Sequence, residues 1–154
     1  MMNFIFDMDG TIADLYHVDD WLSKLRAEDA SPYMDARPLW DMDKLGAILE
    51  ALRSRGHHVT IVSWLSKEST LEYNRATRAA KRAWLKEQAF PFDEIHLVKY
   101  GTPKSKYSKS DAINIFFDDS EDVAKEISKR PGAIRINPEK IDIVEFLKMF
   151  LGEN

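Results

Sequence analysis

Acidic side chains follow two apolar segments that lie far apart in the sequence. Asp7 and Asp9 follow the first segment, and Asp118 and Asp119 follow the second. If the two segments are neighbouring parallel strands, these carboxylates converge, because the carboxyl ends of parallel strands lie at one edge of the sheet. Converging carboxylates repel one another unless a cation neutralises them. Oxygen ligands without nearby His or Cys suit a hard ion, so the spacing predicts a Mg²⁺ site.

Five short segments rich in Val, Ile or Phe could supply the strands of such a sheet. They are residues 4–7, 58–63, 94–98, 113–118 and 133–137. Most of their consecutive positions are apolar, which is typical of strands covered on both faces. Because they alternate with helical patterns, the sequence predicts an α/β fold around a central parallel sheet.

Three helices are predicted between and after these strands. The first has an apolar face formed by Leu45, Ile48, Leu49 and Leu52, and Gly56 is placed to end it in a left-handed conformation. The second is predicted to begin at Ser66 and to end near Gln88. Its predicted faces are Ala76, Ala80, Ala83 and Glu87 on one side and Arg75, Arg78 and Arg82 on another. The last helix has an apolar face formed by Val144, Leu147, Phe150 and Leu151.

Residues 14–43 interrupt the alternation of strands and helices. The segment is rich in aromatic residues and contains two prolines, which predicts a short helix followed by an irregular connection. It directly follows the first strand, and loops at the carboxyl ends of strands surround the ligand crevice of an open α/β sheet. We therefore predict a small cap, or flap, over the site. An aromatic loop that simply packs on the sheet is the alternative.

Length and composition fit one domain spanning residues 1–154. The chain has 44% hydrophobic and 31% charged residues and a net charge of −4, which predicts no strong attraction to nucleic acid or to an anionic membrane. It contains no cysteine, which excludes disulfides, thiolate zinc ligands and a cysteine nucleophile. No apolar run is long enough to cross a bilayer. We expect a cytoplasmic protein that does not associate with membranes.

The acidic segments belong to an ordered set of four motifs. Residues 7–11 read Asp-Met-Asp-Gly-Thr after an apolar strand, and Ser63 ends the next apolar strand. The loop 99–106 contains several lysines, and residues 113–119 form an apolar strand ending in two aspartates. The order resembles the four motifs of the haloacid dehalogenase (HAD) superfamily of phosphohydrolases. The resemblance covers nearly the whole chain and implies a Rossmann-like three-layer sandwich.

The resemblance also implies a role for the acidic residues. Asp7 would be the nucleophile that forms an aspartyl-phosphate. Asp9 would be the general acid for the leaving alcohol and then the base that activates water. Mg²⁺ would be held by Asp7, by the backbone carbonyl of Asp9 and by Asp118. Asp119 would orient the lysine of the third motif or a metal-bound water.

The remaining motif residues are expected to bind the phosphoryl group or shape the turn. Ser63 and one lysine would bind phosphoryl oxygens and stabilise the charge of the transition state. Lys104 and Lys106 are both candidates, and we favour Lys104 because the turn before it would direct it back to the site. Gly10 permits a tight turn after the first strand, and Thr11 can hold that turn by hydrogen bonding.

Two local patterns resemble the 5′(3′)-deoxyribonucleotidase branch of this superfamily. Residues 7–14 read Asp-Met-Asp-Gly-Thr-Ile-Ala-Asp, and residues 81–84 read Lys-Arg-Ala-Trp. About 30 residues remain for the cap, fewer than that branch uses. A cap of this size either admits a bulky substrate or is completed by a second subunit, so a homo-oligomer is a further possibility. We predict a nucleoside-monophosphate phosphatase, with aromatic residues of the cap available to stack on the base.

Other functions are compatible with parts of the sequence. The substrate could be a polynucleotide end or another phosphorylated metabolite. A receiver-like phosphoacceptor domain, or a binding domain without turnover, would also place acids, a hydroxyl residue and a lysine on a parallel α/β sheet. The basic stripe of Arg75, Arg78, Arg82 and Lys86 is predicted to be a solvated helix face, with contact to nucleic acid as the alternative.

Overall fold

The computed structural model describes residues 1–152 of the chain, and a five-stranded parallel sheet lies at its centre. In chain order the elements are β1 (Met2–Phe6), β2 (Ala13–Asp14), α1 (Trp21–Arg26), α2 (Ser31–Asp35), β3 (Arg37–Pro38), α3 (Met42–Ser54), β4 (His58–Trp64), α4 (Leu71–Glu87), β5 (Glu94–Val98), β6 (Ile113–Phe117), α5 (Glu121–Ser128), β7 (Ala133–Ile136) and α6 (Ile143–Lys148). Short 3-10 helices occupy Leu15–His17, Lys104–Tyr107 and Met149–Leu151.

The central sheet has the strand order β5-β4-β1-β6-β7. Each neighbouring pair is parallel, and Phe6 of β1 lies opposite Ile61 of β4 and Phe117 of β6. All five predicted strands are therefore present, with bounds within about two residues of the prediction. The predicted parallel α/β fold is confirmed.

Both faces of the sheet are buried, which explains why the strands read as continuous apolar runs. Side chains such as Phe4, Phe6 and Phe117 pack with residues of α3, α4 and α6 on one face. The alternate positions Ile5 and Phe116 pack with α5 on the other face. The molecule is thus a three-layer sandwich, as the family resemblance implies.

The helix between β4 and β5 differs from its prediction in its start and in its buried face. It begins after Thr70, whose side chain accepts a hydrogen bond from the Tyr73 N–H at 3.1 Å, and not at Ser66. Glu68 has a positive φ of 57°, a conformation that a helix cannot include. The buried positions are Tyr73, Thr77, Lys81, Trp84 and Leu85. Neither of the two predicted faces is the buried one, since Ala76, Ala83 and Glu87 are exposed and so are the three arginines.

The other helices agree better with the sequence. In α3 the predicted positions are buried, and Gly56 follows the helix with a φ of 89°, as its predicted role requires. The last helix, α6, continues into the 3-10 helix Met149–Leu151. Helix α5 had no counterpart among the predicted helices. It begins after Ser120, whose side chain accepts a hydrogen bond from the Val123 N–H.

The predicted cap segment forms more regular structure than expected. It contains two short helices, α1 and α2, and a small antiparallel pair of β2 with β3, where a single helix and an irregular connection were predicted. Two indole groups attach the segment to the core. The Trp84 Nε1–H donates to the Ala36 carbonyl at 2.7 Å, and the Trp40 Nε1–H donates to the Thr11 carbonyl at 2.7 Å.

Within residues 1–152, no helix combines the length and the apolar character that crossing a bilayer requires.

The bond between Trp84 and Ala36 can be tested by substitution. We expect Trp84→Phe to lower the free energy of unfolding by about 1–3 kcal/mol, because the buried Ala36 carbonyl would lose its donor. Chemical denaturation measures this change. Leu71→Ala on the same helix removes a side chain that is 79% exposed and should stay within about 0.5 kcal/mol of the parent. Equal losses of unfolding free energy in Trp84→Phe and Leu71→Ala would contradict a stabilising role for the hydrogen bond between Trp84 and Ala36.

Candidate active site

The two predicted groups of acidic residues meet at the carboxyl edge of the sheet. Because Phe6 lies opposite Phe117, Asp7 and Asp118 leave the sheet side by side. The Asp7 backbone N–H donates to the Phe117 carbonyl at 3.0 Å. One carboxylate oxygen from each of Asp7, Asp118 and Asp119 lies within 4.8 Å of the others. The convergence predicted from the sequence required the two strands to be neighbours, and β1 and β6 are neighbours in the sheet.

Lys104 is buried among these carboxylates. Its Nζ donates to Asp7 Oδ1 at 3.0 Å and to Asp118 Oδ2 at 2.6 Å. Burial by itself lowers the pKa of the Lys104 ammonium, but Asp7 and Asp118 outweigh that effect and the net pKa shift is upward. Lys104 is therefore a fixed positive charge. Lys106 is exposed and lies over the Tyr107 ring at 5.9 Å.

Asp9 is paired with a different lysine. The Lys81 Nζ, from α4, donates to Asp9 Oδ2 at 3.0 Å, to Ser63 Oγ at 2.6 Å and to the Trp64 carbonyl at 3.1 Å. These three bonds use all three hydrogens of the ammonium. Burial raises the pKa of Asp9, Lys81 partly offsets this rise, and repulsion from Asp7 adds to it. Asp9 therefore keeps its proton to a higher pH than an ordinary aspartate.

The charges at this edge do not balance. When all are ionised, four carboxylates face only the two ammonium groups of Lys81 and Lys104, which leaves two negative charges. The pKa values of Asp118 and Asp119 are both raised, mainly by burial and then by the charge of Asp7. A divalent cation would remove this excess, and oxygen donors suit Mg²⁺.

The ligand set available to such a cation differs in one residue from the one implied by the resemblance. Asp7 and Asp118 are in it, and Asp119 joins them. The carboxylate of Asp9 is bonded to Lys81, so Asp9 could offer only its backbone carbonyl, which is the donor the resemblance implies. The residues present therefore fit a Mg²⁺ ion.

The turn after β1 depends on Gly10 and Thr11. Gly10 has a φ of +80°, and a Cβ at this position would collide with the Asp119 carboxylate and the Tyr16 ring. Only glycine fits both constraints. Thr11 is buried, and its hydroxyl donates to Asp7 Oδ2 at 3.3 Å. Thr11 therefore binds one oxygen of the Asp7 carboxylate, and Lys104 binds the other.

A cavity of about 500 Å³ opens above these residues. Its walls carry five aromatic side chains, Tyr16, Trp21, Tyr33, Trp64 and Tyr100. Burial, followed by the charge of nearby carboxylates, raises the pKa of Tyr16, so its hydroxyl stays protonated. The Tyr33 hydroxyl hydrogen-bonds the Ser66 hydroxyl at 3.1 Å. The cavity thus has a charged floor and apolar, flat-sided walls.

Most residues singled out from the sequence come together here. Those that line the cavity are Asp7, Asp9, Lys104, Asp118 and Asp119, and Gly10 and Thr11 support them from behind. Ser63 does not line the cavity: it is 1% exposed and its hydroxyl accepts from Lys81. Ser66 and Lys67, in the loop that follows β4, do line it.

Lys81 was not predicted to lie at the site, and neither were four residues that line the cavity, Trp64, Ser66, Lys67 and Tyr100. The signal was present as spacing, because Lys81 lies four residues after Thr77 and eight after Tyr73, on the buried face of α4. A lysine within a buried helical stripe must have partners, since burying an unpaired ammonium is costly. Neither of the two faces predicted for this helix, one of alanines and one of arginines, includes Lys81.

Comparison with known proteins supports the fold. No protein-family model matches the chain, and no curated protein matches it. Two similar solved structures are D,D-heptose 1,7-bisphosphate phosphatases. That of B. bronchiseptica, complexed with magnesium and phosphate, has a TM-score of 0.58 and 12% identity over 100% of both chains. That of Burkholderia thailandensis has a TM-score of 0.51 and 12% identity over 99% of this chain and 100% of the other. The likeness confirms the predicted α/β sandwich.

The charge imbalance can be tested through stability without magnesium. Burial raises the pKa of the folded Asp119 carboxyl to about 8. Between about pH 4 and pH 8 the folded state therefore holds more protons than the unfolded chain, and its stability falls as pH rises through that range. Asp119→Asn cannot ionise. We expect its Tm, measured in a chelating buffer, to exceed that of the parent by a margin that grows with pH.

Adding Mg²⁺ should stabilise the parent and narrow that margin. The matched control is Asp122→Asn, which removes an exposed carboxylate of α5 and should leave the pH dependence unchanged. A margin between Asp119→Asn and the parent that stays constant with pH would show that Asp119 does not carry the excess charge.

Proposed function

We propose that this protein is a Mg²⁺-dependent phosphomonoester hydrolase that works through an aspartyl-phosphate on Asp7. The observation that carries the proposal is the different setting of two carboxylates two residues apart. Asp7 is ion-paired to Lys104 and held by Thr11, as a nucleophile requires. Asp9 has a raised pKa, as a general acid requires. Carboxylates whose environments differ in this way can divide the roles of acid and nucleophile between them.

The first step transfers the phosphoryl group to the protein. An oxygen of Asp7 attacks phosphorus, the bond from phosphorus to the leaving oxygen breaks, and Asp9 gives its proton to that oxygen. Lys104, already seated beside Asp7, would stabilise the negative charge on the phosphoryl oxygens. We assign Ser63 to holding Lys81, because its hydroxyl is bonded there, although the family motif gives it a direct contact with phosphate.

The second step releases phosphate. Asp9, now a carboxylate, takes a proton from water as the water oxygen attacks phosphorus, and the bond between phosphorus and the Asp7 oxygen breaks. Lys81 donates to Asp9 and so stabilises the ionised form that this step needs. A Mg²⁺ ion, when bound by Asp7, Asp118, Asp119 and the Asp9 carbonyl, would screen the negative charges that otherwise keep nucleophile and phosphate apart.

The comparisons support this proposal at the level of the reaction. Both structural neighbours are phosphatases by name, and one was crystallised with magnesium and phosphate. The order of the four motifs in the sequence supports the same reaction. A receiver-like domain would place its acidic pair on the first strand, whereas here the pair 118–119 follows β6.

For the substrate we propose a nucleotide. The walls of the cavity carry five aromatic rings, and rings of this kind stack on bases with a favourable energy of about 1–3 kcal/mol each. The patterns at residues 7–14 and 81–84 resemble the deoxyribonucleotidase branch. The neighbours named for a heptose bisphosphate make a sugar phosphate the alternative substrate to be tested.

Phosphate release from a panel of phosphomonoesters tests the proposed function. We expect Mg²⁺-dependent turnover of 5′- or 3′-nucleoside monophosphates above that of sugar phosphates, and loss of all turnover in Asp7→Asn. Acid-quenched protein should carry acid-stable, hydroxylamine-sensitive phosphate, the property of an acyl phosphate. Full turnover by Asp7→Asn would exclude the mechanism, and a preference for sugar phosphates would exclude the nucleotide.

The role of Lys104 can be tested against its neighbour in the same loop. We expect Lys104→Met to lower kcat by about 10²–10³-fold, because a preorganised positive charge beside the transferred group is lost. Lys106→Met, which removes an exposed lysine two residues later, should change kcat by less than about threefold. Comparable losses in both variants would remove Lys104 from the proposed mechanism.

A further inference from the structure

Helix α4 carries a line of cations on its exposed side. Arg75, Arg78, Arg82 and Lys86 are all exposed, and they recur at intervals of three or four residues, close to one per helical turn. The line extends about 16 Å along the helix, since eleven residues separate its ends. It lies away from the buried face formed by Tyr73, Thr77, Lys81, Trp84 and Leu85.

These four cations have no acidic partner within residues 1–152. Arg78 uses only its Nε, which donates to the Leu97 carbonyl at 3.4 Å, and the other three form no ion pair with that part of the chain. Some basic residues elsewhere, such as Arg53 and Arg135, are paired with carboxylates, while others, such as Lys125 and Lys129, form no ion pair within the described chain. What distinguishes α4, on a chain with a net charge of −4, is the spacing that places four unpaired cations in one line along one helix.

The line begins toward the sheet edge at which the cavity opens. Strand β4 ends at the site edge of the sheet, and α4 returns from that edge to the start of β5. Lys67, which lines the cavity, precedes α4 by four residues, and Arg75 lies one turn into the helix. Lys67 is exposed and also forms no ion pair within the described chain. A chain of negative charges leaving the cavity would meet Lys67 first and then the cations of α4.

We propose that the exposed face of α4, with Lys67, binds the phosphodiester backbone of a single-stranded nucleic acid whose terminal phosphate lies in the cavity. The inference rests on the proposed function and names its substrate as the phosphorylated end of a strand. A basic surface that follows the backbone, next to aromatic side chains that stack on bases, is the combination by which proteins hold single strands without reading their sequence. The small cap leaves a cavity that need not enclose the whole substrate.

A length series of oligonucleotides tests the proposal. DNA and RNA strands from one to about six nucleotides, each with a 5′- or a 3′-phosphate, would be compared by kcat/KM. We expect kcat/KM to rise with length as successive phosphates reach α4. For the longest strand, log(kcat/KM) against log[salt] should have a slope of about −2 to −3, since each neutralised phosphate of a single strand contributes about −0.7.

Two matched double variants locate the effect. Arg75→Gln/Arg82→Gln should make that slope less steep by about 1.4, the contribution of two phosphates, and reduce the ratio of oligonucleotide to mononucleotide kcat/KM. Lys125→Gln/Lys129→Gln removes the same charge from exposed positions of α5 and its end, in the opposite layer, and should leave slope and ratio as in the parent. Thermal unfolding verifies that each variant is folded.

Direct binding separates this inference from the proposed function. The anisotropy of a labelled oligonucleotide without a terminal phosphate requires no turnover, so it reports on α4 even if no phosphomonoester is hydrolysed. The inference would be supported if Arg75→Gln/Arg82→Gln bound this oligonucleotide more weakly than the parent and Lys125→Gln/Lys129→Gln bound it as tightly as the parent. The inference would be overturned by turnover that is independent of strand length, or by equal effects of the two double variants. It would also be overturned if inorganic polyphosphate bound as tightly as the oligonucleotide.

Discussion

Four carboxylates and two ammonium groups share the carboxyl edge of the sheet, and the cost of burying them together constrains the rest of the structure. Each ammonium group is committed to its partners. Lys104 bridges Asp7 and Asp118, and Lys81 joins Asp9 to Ser63 and the Trp64 carbonyl. Removing either lysine would leave buried carboxylates without their counter-charge, which is costly. The elements that supply these residues must therefore be held in fixed relation.

The sheet provides that fixed relation. The register of β1 with β6 places Asp7 and Asp118 together. Both strands are buried on two faces, and on one of these faces the rings of Phe6 and Phe117 stack 4.6 Å apart. A close-packed interior resists the small displacements that would separate the carboxylates. The turn after β1 adds a second constraint, because Gly10 lies where any side chain would displace Asp119. The strands β1 and β6 thus determine where the carboxylates of the site lie and where their negative charge is concentrated.

The short cap has a different role. It contributes Tyr16, Trp21 and Tyr33 to the cavity and is attached to the core through the indoles of Trp40 and Trp84. It leaves the cavity floor to the sheet edge and supplies only flat apolar walls. In the proposed reaction the chemistry would therefore reside in the core, whereas the cap, Lys67 and α4 would select what is attached to the phosphate.

The sequence by itself determined the strands and their parallel arrangement, because apolar runs followed by acids are local patterns and parallel strands share an edge. It predicted that Asp7 and Asp118 would meet only if their strands were neighbours, which the sheet order then established. It also favoured Lys104 over Lys106, and Lys104 is the lysine that the structure buries against Asp7. Only the tertiary structure decided that Lys81 faces Asp9, that Ser63 holds this lysine, and that α4 begins after Thr70. The physical reason is that these outcomes depend on contacts between distant elements, whose energies override the local preferences from which a helix face or start is predicted.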